Sequence, residues 1–388
     1  MNNRPGNPLH HYVDTLKVRI NMNHLRIFFW LSAALAVLSI EHQVVARHYF
    51  VNSVSGNDAA AGTEPGNAWK SLAPVHAKDF MPGDTINFMS GSSWTTGLDI
   101  NDTGTPQKPI VFRAVGEGPK PVFSHPGNLA KAINITGKWV IVDGFVAKDA
   151  HLAGIYLAKG ADHNIIRNCE IENCGGGVMA HGRYNLITQN YAHDLIMVKN
   201  TQGGDDDYGA VAYWVFAPNN EIAYNRAVRC RAQSYDYGAD GGFFEVYTNG
   251  DSTYVHHNYA EDCNGFLEIG GGSARDILVS DNVSVENGEW TFHLTGKFRA
   301  DIHNFRMKHN TIISRKGTKW NNLLGIGKGD VSTNELIFSN NLVVLGGEAA
   351  EKVARHGNFT HHDNTYFLLD GANLGFAAAS GEQISVSR

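Results

Sequence analysis

The stretches NLITQN at 185–190 and NEIAYN at 220–225 repeat one pattern, alternating apolar residues closed by an asparagine. The pattern returns as NIIRN at Asn168, YVHHN at Asn258, DILVSDN at Asn282, FRMKHN at Asn310, LIFSNN at Asn340 and FTHHDN at Asn364. WVIVDG, with Asp143 in the asparagine position, reads as an earlier copy. Successive asparagines lie 22 to 35 residues apart, and the shortest steps cluster at 22–24. Alternation with period two marks strands and excludes a helical repeat. A strand repeat of this length predicts one coil of a β-solenoid, the longer steps being coils with insertions. Stacked coils are spaced about 4.8 Å apart, so equivalent residues form columns. Asparagine tolerates the left-handed backbone of a tight turn, and its amide can bond to the asparagine one coil on. The column is expected to be a side-chain ladder.

The composition agrees. Of 388 residues, 42 are Gly, 43% are hydrophobic and only 18% are charged. That much apolar content with so little charge excludes a disordered chain. Thirty-two basic against 38 acidic residues leave a net charge of −6, which argues against a nucleic-acid partner.

Residues 28–39 read FFWLSAALAVLS, an apolar run too short to span a membrane. It follows Met22, His24 and Arg26 and precedes Val44, Val45 and Ala46, the layout of a secretory signal. The expectation is an N-terminal extension and signal peptide over 1–46, with translation starting at Met22. A single catalytic solenoid over 47–388 follows, exported to the periplasm or medium. No stable membrane span is expected. Four cysteines (Cys169, Cys174, Cys230, Cys263) are too few for a disulfide scaffold, and no pair has zinc spacing. Cys230 and Cys263 each follow a ladder asparagine by the same interval and are expected to stack in the interior or a turn, with a disulfide between them open.

The asparagine repeat resembles that of the right-handed parallel β-helix superfamily of pectate-lyase type. The opening YFVNSVSGNDAAAGTEPGNAWKSLAPV (49–75) also resembles the start of many secreted β-helix polysaccharide enzymes. The resemblance implies an all-β, three-sheet solenoid with the ladder between the second and third sheets. It also implies a sugar-binding groove on the first sheet, a polysaccharide substrate and a monomer. WKSLAPVHAKDF (69–80) would supply the short helix that caps the apolar end.

The first-sheet strands are GIYLAKG (154–160), GVMAHG (177–182), AVAYWV (210–215), GFFEVY (242–247), GFLEIGG (265–271), WTFHLTG (290–296) and LLGIGKG (323–329). Alternation assigns Tyr156, Val178, Ala212, Phe244 and Leu267 to the interior. It sends Leu157, Met179, Tyr213, Glu245, Glu268, His293 and Gly325 outward as one column. A second outer column holds Lys159, His181, Val215, Tyr247 and Gly270. Insertions at 198–209 and 231–242 bring Asp205, Asp206, Asp207, Asp236 and Asp240 to the same edge.

Two carboxylates on adjacent coils repel unless one is protonated or a cation lies between them. Glu245 and Glu268, with Asp240 and Asp206, are therefore candidates for a Ca2+ site or for a raised-pKa acid. Superfamily lyases pair substrate neutralisation with a base at C5. That pattern implies Lys297 as base, with His293 and Tyr247 as alternatives, and His181, Tyr213, Tyr247, Arg275 and Arg299 as binding groups. The first expectation is a polysaccharide lyase on an acidic glycan such as alginate or pectin. An inverting glycoside hydrolase using Glu245 with Glu268 or Asp240, and a non-catalytic glycan-binding solenoid, are the alternatives.

Overall fold

Three strands recur in every coil, as in Ala153–Leu157, Ile165–Arg167 and Glu170–Glu172, and each pairs in parallel with its counterpart one coil on. The computed structural model describes residues 46–287, 301–315, 336–346, 360–369 and most of 371–387, and the backbone of 293–294, 322–326 and 352–354. Three long sheets run along this stack, and the fold is a right-handed parallel β-helix. Among the described residues no helix is long and apolar enough to cross a membrane. At one end a short helix, Ala73–Ala77, covers the stack with Val75 buried.

A single left-handed residue makes each corner. Between the second and third sheets these residues are Asn168, Gln189, Tyr224, His257, Asp281, His309, Asn340 and Asp363. The ladder asparagine is the residue after, and it is buried rather than left-handed. Asn225 Nδ2 donates to Asn258 Oδ1 at 3.1 Å, and Asn258 Nδ2 donates to Asn282 Oδ1 at 2.9 Å. Each Oδ1 also accepts the neighbouring backbone N–H, as in Asn225 N to Asn258 Oδ1 at 2.8 Å. Two expected members shift by one residue. Asn341, not Asn340, donates to Asn364 Oδ1, and Cys169, not Asn168, occupies the first rung under Asn190. Asn168 instead donates to Asp143.

A second, shorter ladder fixes the corner between the first and second sheets. Asn164 N donates to Asn185 Oδ1 at 2.8 Å and Asn185 Nδ2 to Asn220 Oδ1 at 3.2 Å. Cys230 and Cys263 do stack in the interior, as expected, and they are free thiols, as are Cys169 and Cys174. Burial raises the Cys169 thiol to about 11 and the Cys174 thiol to about 12, so neither is a nucleophile at neutral pH.

Candidate active site

Five first-sheet strands carry the site: β1 (Ala153–Leu157), β2 (Gly176–Ala180), β3 (Val211–Val215), β4 (Gly242–Asn249) and β5 (Leu267–Arg275). Their register sets one outward column: Tyr156, Met179, Trp214, Glu245 and Glu268. The backbone of His293 continues it beside Glu268. The side chain of His293, together with Lys297 and Arg299, lies outside the described residues.

The expected column is correct at Met179, Glu245 and Glu268, its backbone register continues through His293 and Gly325, and it slips at Leu157 and Tyr213. Tyr156 points outward and Leu157 is fully buried. Tyr213, expected to bind sugar, is 0% exposed, and its hydroxyl donates to the Asn190 and Arg226 carbonyls. Its neighbour Trp214 takes the outer position. The cause is local: Ala212 and Tyr213 both enter the core, as do Phe243–Phe244 and Phe266–Leu267, so alternation breaks in each strand.

Glu245 and Glu268 are direct cross-strand partners lining one small pocket, with Gly241, Gly242 and Gly265 in its wall. Two glycines make this geometry. Gly241, at φ 115°, turns the chain into β4, where a Cβ would meet the Ala210 carbonyl at 2.6 Å. Gly270 is the extra residue of a bulge, since Val246 pairs with Ile269 but Tyr247 with Gly271. A Cβ on Gly270 would lie 3.0 Å from Glu245 Oε1 and 2.8 Å from the Tyr247 ring.

Burial pushes both carboxyls up. Glu268 rises to about 8, through desolvation and then the nearby Asp240 charge. Glu245, 7% exposed, is raised by desolvation, then by Glu268 and Asp240, while the Trp214 indole opposes the rise. Like charges this close in a desolvated site do not all ionise, so the cluster retains a proton at neutral pH. Asp240 ends the ribbon arm Gly238–Asp240 and accepts the Gly241 N–H at 2.7 Å.

Beside the carboxyls lies a run of rings. Tyr156 and His181 are 4.9 Å apart, His181 stacks on Phe216 at 4.0 Å, and Phe216 approaches Tyr247 at 6.3 Å. Phe216 therefore stands where Val215 was expected, and Val215 is buried. Lys131 lies over Tyr156 at 3.8 Å, and burial followed by the Lys131 charge lowers the pKa of His181, keeping it neutral. Sequence alone offers Phe216 and Trp214 as the residues after the AVAY alternation, a signal hidden by the slip.

Of the four residues expected to hold calcium, Asp240, Glu245 and Glu268 lie together and Asp206 does not join them. Asp206 is held by Lys199 and by Thr201, whose hydroxyl donates to it at 3.0 Å. Among the described residues, the groups with ligand atoms within 4.8 Å of one another are Asp206–Asp207–Asp236 and Glu170–Glu172–His193, and neither contains Asp240, Glu245 or Glu268. Asp207 accepts from Thr201 N, Ser234 Oγ and Asp236 N, so it ties the two inserted ribbons together. Arg275, at the far end of β5, pairs with Asp301 instead of facing the pocket.

No family model matches the chain. A segment of 85 residues is 40% identical to a lacto-N-biosidase from Bifidobacterium longum subsp. longum, covering 20% of this chain and 5% of that protein. Among solved structures, a GH136 lacto-N-biosidase from Eubacterium ramulus is similar at a TM-score of 0.57 and 15% identity, over 95% of this chain and 72% of that one. A rhamnogalacturonan lyase is similar at a TM-score of 0.51 and 11% identity, over 88% of this chain and 87% of that one. These likenesses to solved structures establish the fold.

Proposed function

We propose that this chain is a carbohydrate-active enzyme that hydrolyses a glycosidic bond with retention, Glu268 donating the proton and Glu245 acting as the nucleophile. The observation that carries the reading is the registered, buried Glu245–Glu268 pair in one pocket. Partners on adjacent coils start about 4.8 Å apart at the backbone. Retaining glycosidases hold their carboxyls about 5–5.5 Å apart, and inverting ones about 6.5–9.5 Å, so direct register favours retention over inversion.

In the first step Glu245 attacks the anomeric carbon while Glu268 passes its proton to the leaving oxygen. Glu268, now ionised, takes a proton from water, and the water oxygen displaces Glu245 from the glycosyl ester. A carboxyl raised to about 8 is a competent acid at neutral pH. Asp240 raises both carboxyls, so its charge helps keep a proton on the pair without choosing which member holds it.

The field also bears on the substrate. Three carboxyls at the pocket repel a uronate, and Arg275, expected to counter it, is engaged by Asp301. A neutral glycan lying along the Tyr156–His181–Phe216–Tyr247 rings suits the groove better than alginate or pectin. The similarity of one segment to a lacto-N-biosidase supports a hydrolase over a lyase. In this reading Ca2+ has no chemical step. The N-terminal apolar run supports export, and the capped solenoid supports a monomer.

Proton NMR of a glycan digest in its first minutes tests the reading. The anomer released first is expected to keep the configuration of the cleaved bond. An inverted anomer, or an unsaturated uronide, would overturn it.

A further inference from the structure

Trp214 is 4% exposed, and its buried indole Nε1 meets no acceptor at full hydrogen-bonding geometry, Glu245 being the acceptor it approaches. A buried N–H left unpaired costs the desolvation of that group, so such donors are rare unless an acceptor is expected to arrive. The indole has little freedom to move away. It packs with Ala153, Met179 and Val211, and the rings of Tyr208 and Phe216 flank it at 6.0 and 5.3 Å. Its cross-strand partner is Glu245.

We propose that Trp214 is a positioning residue whose indole N–H receives the negative charge of Glu245, and so lowers the cost of ionising it in a pocket that otherwise disfavours that charge. The mechanistic consequence rests on the hydrolase reading; the charge assignment does not. A protonated carboxyl accepts through its carbonyl oxygen only as a neutral partner. A carboxylate accepts a charge-assisted bond, roughly twice as strong as a neutral one. The donor therefore favours the charged form.

The other groups facing Glu245 oppose that charge. Glu268 approaches from β5, Asp240 from the inserted ribbon and Tyr247 from β4 itself. Glu268 and Asp240 both disfavour a charge on Glu245, and the indole opposes them. Among the described groups that shift Glu268, none is a donor; desolvation and Asp240 both push it toward its neutral form. Gly270 completes the cradle by leaving space at Glu245 Oε1. Glu245 thus has a donor that Glu268 lacks, set against two acids that disfavour its charge.

The test is the titration of Glu245 in full-length protein labelled with 13C at glutamate Cδ, its resonance assigned by Glu245→Gln. Trp214→Phe removes the donor. A second variant carries 3-benzothienylalanine at position 214, which keeps the shape of the indole and lacks the N–H, guarding against a packing loss. Both are expected to raise the Glu245 titration by about one pH unit or more. The ascending limb of the kcat/KM profile should move to higher pH by the same amount, with KM little changed. A Glu245 titration unmoved in both variants would overturn the proposal even if glycans are hydrolysed. A titration that moves while the wild type cleaves no glycan upholds the charge assignment and removes the hydrolase reading.

Discussion

Glu245 and Glu268 occupy directly paired positions on adjacent coils, and both carboxyls are held above the usual range by burial and by neighbouring acidic charge. A carboxyl raised in the folded state binds more protons there than in the unfolded chain, so stability falls as pH rises between the two values. For Glu268 the window runs from the ordinary 4.5 to about 8. The protein is expected to melt at a higher temperature near pH 5 than near pH 8. Glu268→Gln and Glu245→Gln should each flatten that slope while abolishing turnover, as read by calorimetry across the window. A slope unchanged in both variants would contradict the shared burial.

Tyr213 is a core residue, not a sugar contact. Tyr213→Phe deletes a hydroxyl that donates to the Asn190 and Arg226 carbonyls at 3.1 and 3.2 Å. The expected cost is about 1 kcal/mol of stability in denaturant unfolding. kcat and KM are expected to stay at the wild-type level. A large rise in KM would return Tyr213 to the groove.

The ladder should fail locally and strongly. Asn258 accepts the Asn225 backbone and side-chain N–H groups and donates to the Ile222 carbonyl and to Asn282. Asn258→Ala strands several buried polar groups at once, so a loss of about 2–4 kcal/mol is expected in urea unfolding. Ser53→Ala, which removes one exposed hydrogen bond to Ser93 N, serves as the control and is expected to change little.

The ring run predicts a split in kinetic constants. Phe216→Ala removes the ring that stacks on His181 at 4.0 Å and leaves the carboxyls in place. If a sugar face packs on this ring about as strongly as a second aromatic would, about 0.5–1.5 kcal/mol, KM is expected to rise about threefold to tenfold. kcat should change much less. Loss of kcat with KM preserved would place Phe216 in the chemistry and not in binding.

The fold was legible because the solenoid writes the same corner into the chain again and again. The ladder slipped by one at two places for a physical reason. Each corner needs a left-handed residue followed by a buried amide, and Asn fits both positions, so Asn340–Asn341 cannot be ranked by residue type alone. The second ladder was present in the same quoted stretches, since NIIRN, NLITQN and NEIAYN all begin with asparagine. The site was legible only in part. Glu245 and Glu268 stood out as acids in an apolar strand, but strict alternation hid Trp214, because Ala212 and Tyr213 turn inward together. The inserted loops have no period, so nothing in the sequence separated Asp240, which faces the pair, from Asp206, which binds Lys199.

The central claim is a hydrolase whose chemistry lies in the Glu245–Glu268 pair, and one incubation tests it most directly. Wild type and Glu268→Gln are given a panel of neutral and acidic glycans with excess chelator, and both reducing ends and ultraviolet absorbance are followed. The account predicts new reducing ends from a neutral glycan, no ultraviolet chromophore, no effect of chelator and at least a hundredfold loss in Glu268→Gln, on the order expected for removing a general acid. An ultraviolet-absorbing unsaturated uronide from an acidic polymer, lost on chelation, would contradict it.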